Sequence, residues 1–431
     1  MTPRDYQQPE IDKIVAAISR HGVAANASVT GSGKTVIALL AAKALNRAVC
    51  VVAPKVTLTS WEKTAKACGV KLHWAKNYEI LRSKSTNVDK DFMIAPLRVT
   101  PRHTRWYIPR GSLLIFDEAH KLSGLDSANS AMLVAAKKQN IPTLLLSATL
   151  AESPLKLKAI GFAMGLHDNS EAGFYRFCMR NGVKKTPFGL SFDKDPTVMA
   201  DVRKKCGSRL SGLTIDQIPD MPRHTIQVLG VIPDIDVDDV YARVLEEQEL
   251  NSFDPLVESL RARQLAELGK VNGLADQVRV AYEAGNAPVV FVNFLETGER
   301  LLESLADLDP FFIYGEVKND IREEVIGEFN TGKRHLLICQ SASMGVGVSL
   351  HRTHEDARPR ISFISPGWSS TEFIQILGRI RRLNSLDSHV VQKVIFAEGS
   401  EIEERVAKSI EAKLDCLSEL NDSDLHVALT E

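Results

Sequence analysis

Twice along this chain of 431 residues, apolar runs of strand length alternate with helical patterns, and no other feature restricts the fold as much. In the first 150 residues the runs are 24-AANASV-29, 48-AVCVVA-53, 91-DFMIA-95, 113-LLIFD-117 and 142-PTLLLS-147. Helical stretches such as 34-KTVIALLAAKAL-45 and 127-SANSAMLVAAKK-138 lie between them. After residue 285 the pattern returns in 288-PVVFVNF-294, 311-FFIY-314, 335-HLLICQ-340, 361-ISFIS-365 and 391-VQKVIFA-397. Strands separated by helices join in parallel, under helices on both faces. The expected fold class is α/β, with two doubly wound parallel-sheet lobes. A helix near 401–418 closes the chain, its Ile402, Val406, Ile410, Leu414 and Leu417 forming one apolar stripe.

Between the lobes the sequence changes character. Residues 166–224 are rich in turn formers and read as a basic linker or helical protrusion; within them, 171–209 holds nine Lys and Arg against four Asp and Glu. The second lobe is expected to begin with a strand at 225-TIQVLGVI-232 and to carry helices inserted at about 238–285. The domains expected are thus 1–165, 166–224 and 225–431.

Several classes of protein drop out. No apolar run approaches the roughly 18 residues that cross a bilayer. Cys50, Cys68, Cys178, Cys206, Cys339 and Cys416 are far apart with no CxxC pair, which fits reduced thiols in a cytoplasmic protein. The net charge of −1 hides an asymmetry: residues 1–110 carry 18 Lys and Arg against 7 Asp and Glu, and the rest 35 against 47. A basic block in an otherwise acidic chain suits a polyanionic partner, or else is plain solvated surface.

The strongest local signal is 27-ASVTGSGKT-35, which follows a strand and opens a helix. Across Thr30, Gly31, Ser32 and Gly33 the backbone can curl so that successive N–H groups face phosphate oxygens, and the helix N-terminus adds partial positive charge. Lys34 is placed to neutralise the β- and γ-phosphates of ATP, and the Thr35 hydroxyl to ligate Mg²⁺. Ser28 stands where the full pattern has glycine. In 113-LLIFDEAH-120 two acids end a buried strand: Asp117 to hold Mg²⁺ through its water shell, Glu118 to polarise an attacking water.

Near the end of the second lobe, 375-QILGRIRR-382 sets Arg379 and Arg382 three apart, one helical turn, and so on one face. Two guanidiniums so aligned can stabilise charge on a γ-phosphate, with Gln375 near the same phosphate or its water. His351 and His354, also three apart, are a thin metal signal without a third ligand nearby. Trp61 and Trp368 suit base stacking or packing.

With SATL at 147–150, 4-RDYQ-7 and the glycines of 341-SASMGVGVSL-350, these motifs resemble in order and spacing those of superfamily-two helicases and translocases, from Arg4 to about Arg382. The segments 76-KNYEILRS-83, 263-RQLAELGKV-271 and 366-PGWSSTEFIQILGRIRR-382 are similar to Swi/Snf-type DNA translocases and to small phage helicases of the UvsW type. The resemblance implies two RecA-like lobes, each contributing half of an ATP site. It also implies that Gln7 reads the adenine edge with Arg4 or Tyr6 near the base, and that Ser147 and Thr149 link phosphate state to the nucleic-acid groove. Gly345 and Gly347 would let backbone approach nucleotide or strand, and Lys55 would contact the nucleic-acid backbone.

The function expected is an ATP-dependent DNA helicase or translocase, a monomeric motor on duplex, forked or branched DNA in a bacterial or phage-infected cytoplasm. An RNA helicase of DEAH type is the alternative, and a nucleotide-gated clamp with little turnover a further one.

Overall fold

The structure is a computed structural model describing residues 1–82, 97–99, 104–187, 189–234, 255–344 and 348–421. The described chain divides into two units, residues 1–219 with those from 412 onward, and residues 220–411.

Unit 1 is built on a six-stranded sheet. Its strands are β1 (Val23–Asn26), β2 (Val49–Ala53), β3 (Leu72–Asn77), β6 (Leu113–Asp117), β7 (Thr143–Leu146) and β10 (Leu210–Ser211). They lie in the order β10-β1-β7-β6-β2-β3, every pair parallel. Two antiparallel hairpins stand outside it: β4 (Leu97–Val99) with β5 (Thr104–Trp106), and β8 (Val183–Thr186) with β9 (Gly189–Phe192). β1, β2, β6 and β7 are buried along their whole length, as near-continuous apolar runs covered on both faces must be. The run at 91–95, expected as a strand, lies outside the described residues.

Unit 2 repeats the architecture with β11 (Arg223–Val231), β12 (Ala287–Val292), β13 (Phe311–Ile313), β14 (Leu337–Gln340), β15 (Arg360–Ile364) and β16 (His389–Ala397). The order is β11-β16-β15-β12-β14-β13, again wholly parallel. The α/β reading with two parallel-sheet lobes is therefore correct.

The boundaries differ from those expected. Segment 166–219 is no linker: Phe174, Phe177 and Cys178 on helix Glu171–Arg180, and Met199, Val202 and Cys206 on helix Pro196–Cys206, sit in the unit 1 core. After them the chain adds β10 to the sheet edge. Apolar residues at helical spacing give this segment a face to bury, and its many turn formers and charges mask that in a linear reading. Val271, Leu274, Ala275 and Val278 of helix Val271–Glu283 pack in one core with Val290 and Val292 of β12. Helix Glu401–Asn421 ends in unit 1, where Cys416 and Leu420 join the core.

All six cysteines are buried and unpaired. Among the described residues no helix is long and apolar enough to cross a membrane.

One buried ion pair ties unit 2 together. Lys270 is fully buried, and its Nζ donates to both carboxylate oxygens of Glu403 at 2.8 and 2.7 Å, to Ser365 Oγ at 3.0 Å and to the Ile395 carbonyl at 3.0 Å. Removing one partner of such a pair strands the other charge without water. Lys270→Met is expected to lower the stability of unit 2 by about 3–5 kcal/mol in urea denaturation, and Lys270→Met with Glu403→Leu to recover much of the loss. Equal losses in the single and double variants would contradict this account.

Candidate active site

Strand register places the chemistry. Asn26 of β1 pairs with Leu146 of β7, and Leu146 with Asp117 of β6, so three neighbouring strands end level. Because the sheet is parallel, the segments that follow them open on one edge: 27–33, 147–149 and 117–118.

The first segment is a loop that winds into helix Lys34–Ala44. Gly31 and Gly33 both have φ of +83°, a region closed to most side chains, and a Cβ on Gly33 would lie 2.6 Å from Gln7 Nε2. Lys34 Nζ donates to the carbonyls of Ser28 at 2.8 Å and Val29 at 3.0 Å, which holds the ammonium inside the curve of the loop. Thr35 follows, half-buried in the first helical turn.

Gln7 closes the loop from the side. It is buried, donates from Nε2 to the Ser32 carbonyl at 3.2 Å, and accepts at Oε1 from the Arg4 backbone N–H at 3.1 Å. The Tyr6 hydroxyl reaches the same Ser32 carbonyl at 3.5 Å. The structure brings Tyr6 and Gln7 to the Ser32 carbonyl, with the Arg4 backbone N–H bonded to Gln7.

Ser28, the departure from the glycine pattern, has a structural partner. Its side chain is fully buried, and Oγ accepts from the Leu213 backbone N–H at 2.9 Å. A Cβ on the adjoining Gly212 would come within 2.8 Å of the Ala27 carbonyl carbon. The chain after β10 therefore braces the phosphate loop from behind, on contacts far apart in sequence.

The acid pair is held by groups that sequence reasoning missed. The Trp61 indole N–H donates to Asp117 Oδ2 at 2.9 Å, the Glu118 backbone N–H donates to Oδ1 at 3.0 Å, and the Tyr78 hydroxyl donates to the Asp117 carbonyl at 2.7 Å. Trp61 is buried and so is not a base-stacking surface. Burial, then the Glu118 charge, push the Asp117 carboxyl up to about 6, against the opposing pull of the Trp61 bond and Lys34. Glu118 itself is left-handed, φ +53° and ψ +54°. Its Oε2 lies 3.1 Å from His120 Nδ1, which in turn lies 3.2 Å from Ser147 Oγ. Ser147 Oγ accepts from the Thr149 N–H at 3.2 Å, and the Ala148 carbonyl accepts from Asn421 Nδ2 at 2.7 Å.

Two hydroxyls at this edge, Ser32 Oγ and Thr149 Oγ1, are buried without a hydrogen-bond partner. Uncompensated buried hydroxyls beside an ammonium and a carboxylate fit a polyanionic ligand with its cation: Lys34 and the loop N–H groups for phosphate, Thr35 and Asp117 for Mg²⁺. Lys55 stands exposed in the turn after β2.

In unit 2, helix Ser370–Ile380 carries Gln375, half-buried, and Arg379, buried. The helix stops before Arg382, because Arg381 is extended and its Nε donates to the Pro222 carbonyl at 2.7 Å. The shared helical face expected for Arg379 and Arg382 is therefore wrong. The two guanidiniums meet by another route: Arg379 Nη1 and Arg382 Nη2 both donate to the Val348 carbonyl, at 2.9 and 3.4 Å. Gly345 and Gly347 lie outside the described residues. No cluster of metal-binding side chains occurs among the described residues, and His351 is kept neutral, its pKa pressed down to about 4 by burial and by Arg382 and Arg360.

Two parallel-sheet lobes, with a phosphate loop and an acid pair on one strand edge, define a nucleotide-hydrolysing motor class, and comparison with known proteins gives the family. Residues 1–152 match the model described as type III restriction enzyme, res subunit, and residues 269–384 the helicase conserved C-terminal domain. A protein of Acanthamoeba polyphaga mimivirus, whose assigned name is ATP-dependent RNA helicase, is 27% identical over 455 aligned positions, spanning 97% of this chain and 84% of that relative. These matches support a superfamily-two helicase and a nucleic-acid-dependent ATPase.

The raised Asp117 pKa has a stability consequence. Its folded value of about 6 exceeds the ordinary 3.8, so the folded state binds that proton more tightly and loses stability as pH rises from about 4 to 6. Asp117→Asn removes this cost but leaves one N–H donor unmatched. It is expected to stabilise the nucleotide-free protein by roughly 1–2 kcal/mol at neutral pH, and not below about pH 4. Thermal melts at both pH values measure it; a variant less stable than wild type at neutral pH contradicts it.

Proposed function

We propose that this protein is an ATP-driven motor on duplex or branched DNA. The reading rests chiefly on one observation: the ends of β1, β7 and β6 stand level, so that phosphate loop, coupling loop and acid pair share one edge. In this reading Thr30, Gly31, Ser32 and Gly33 cradle phosphate with backbone N–H groups. Lys34 releases its loop carbonyls to neutralise the β- and γ-phosphates, and Gln7, with Arg4 and Tyr6, holds the adenine. Thr35 and Asp117 hold Mg²⁺, which when bound supplies charge to the phosphate oxygens.

Glu118 orients and deprotonates the attacking water, its left-handed backbone and His120 fixing where the carboxylate points. Arg379, Arg382 and Gln375 are needed for turnover, stabilising charge that develops on the transferred phosphoryl group. Ser147 and Thr149, joined to Glu118 through His120, sense the nucleotide, while Lys55 and the basic block of residues 1–110 meet the nucleic-acid backbone. The segments similar to Swi/Snf-type and UvsW-type enzymes support DNA as the substrate. The assigned name of the mimivirus relative favours a second reading in which the same motor runs on RNA.

ATPase assays with duplex DNA, forked DNA, single strands and RNA separate the two readings. Stimulation greatest with duplex or forked DNA is expected, and a strong preference for RNA replaces the first reading by the second. Glu118→Gln is expected to lower kcat by about 10²–10⁴-fold while ATP still binds. Unchanged turnover in that variant removes Glu118 as the base.

A further inference from the structure

Unit 1 contains a cleft that the ATPase chemistry does not use. It encloses about 270 Å³ between the end of helix Glu171–Arg180 and the end of helix Pro196–Cys206. Arg176 and Arg180 stand four residues apart on the first helix, one turn, so both guanidiniums reach the same rim. Both are exposed, and among the described residues neither donates a hydrogen bond.

The third cation is aimed. Lys205 Nζ donates to Asn181 Oδ1 at 2.6 Å, and Asn181 is fixed in turn by donating from Nδ2 to the Phe177 carbonyl at 2.6 Å. That second bond also satisfies a helix-terminal carbonyl whose partial negative charge would oppose an anion. The one acid on the rim, Asp168, accepts at Oδ1 from the Ser170 N–H at 3.0 Å and hydroxyl at 2.7 Å, and its charge also attracts Arg176. The floor is the His167 ring, packed on Phe174 and Phe177 with centroids 5.3 and 5.2 Å away.

Three cations against one carboxylate line this small cleft, and two of them are guanidiniums, whose fork of N–H groups matches phosphate oxygens. We infer that this cleft takes a backbone phosphate of the nucleic acid, with Arg176, Arg180 and Lys205 as its ligands. The inference rests on the nucleic-acid-motor reading and names a contact outside the motifs of that family. The nine basic residues of 171–209 then have a local purpose, with the apolar positions of the same helices in the core beneath.

The test is the salt dependence of binding. Fluorescence anisotropy with a short DNA duplex, between roughly 50 and 200 mM salt, gives the slope of log K against log salt for three proteins. These are wild type, Arg176→Gln/Arg180→Gln, and Arg300→Gln/Arg405→Gln, which removes the same charge from exposed pairs in unit 2. The cleft variant is expected to flatten the slope by about one to two, and the control variant to leave it near wild type. Arg176→Lys/Arg180→Lys restores most of the slope, and ATPase without nucleic acid stays at the wild-type rate in every variant. If wild type binds and the cleft variant keeps its slope, or if the control flattens equally, the cleft assignment is overturned while the motor reading stands. If wild type binds neither DNA nor RNA, both fall together.

Discussion

The pairing of β1, β7 and β6 as neighbouring parallel strands is the constraint on which the rest of unit 1 depends. Parallel pairing sends every strand's carboxyl end to one edge, and the register that sets Asn26, Leu146 and Asp117 level makes that edge flush. A shift of one residue in either pair would turn the end of that strand to the opposite face. The Asp117 carboxylate would then lose the indole of Trp61, and Ser147 would leave His120. Burial of all four residues of β1 and β7 and all five of β6 resists such a slip, so core packing and site geometry are the same fact seen from two ends.

The buried ion pair of unit 2 and the strand edge of unit 1 handle buried polarity differently. In unit 2 every donor on buried Lys270 has an acceptor, and Glu267 is matched as fully: its Oε1 accepts from the Asn293 and Phe294 N–H groups at 2.9 and 3.0 Å, and its Oε2 from Ser365 Oγ at 2.7 Å. Those charges are compensated in place, as a permanent scaffold requires. At the strand edge of unit 1 the compensation is incomplete. Asp117 is driven toward protonation, Glu118 holds a costly backbone conformation, and two buried hydroxyls lack partners. At this edge several local rules are broken together, inside a well-packed sheet.

How much of this could be read from sequence depended on whether the signal was local. The strands of both sheets announce themselves as apolar runs, and TGSGKT names its own loop, because each is decided by neighbours within a few residues. β10 escaped notice because two residues, Leu210 and Ser211, carry no periodicity; only the tertiary sheet edge makes them a strand. The role of Ser28 was hidden for the same reason, since its partner Leu213 is 185 positions away. Trp61 looked like packing or stacking, and nothing linear connects it to Asp117, which is 56 positions on. The arginine pair shows the converse error. A spacing of three implied one helical face, yet Arg381 leaves the helix and the two side chains converge on Val348 instead. Residue type and approximate place were legible; the geometry that unites them was not.

The chain of contacts from Glu118 through His120 and Ser147 to Thr149 bears on how a motor of this family can be coupled. His120 Nδ1 faces a carboxylate oxygen on one side and a hydroxyl on the other at nearly equal distance, 3.1 and 3.2 Å, and one ring nitrogen cannot donate to both at full strength. Ser147 also accepts from the Thr149 N–H, so its hydroxyl proton is left to point toward either the imidazole or elsewhere. Moving the 147–149 loop therefore changes what His120 offers Glu118, and moving Glu118 changes what Ser147 receives. The far side of that loop is not free to follow, because the Ala148 carbonyl is held by Asn421 at 2.7 Å. Its near side is held too, because the Ser147 backbone N–H donates to the Asn26 carbonyl at 3.1 Å.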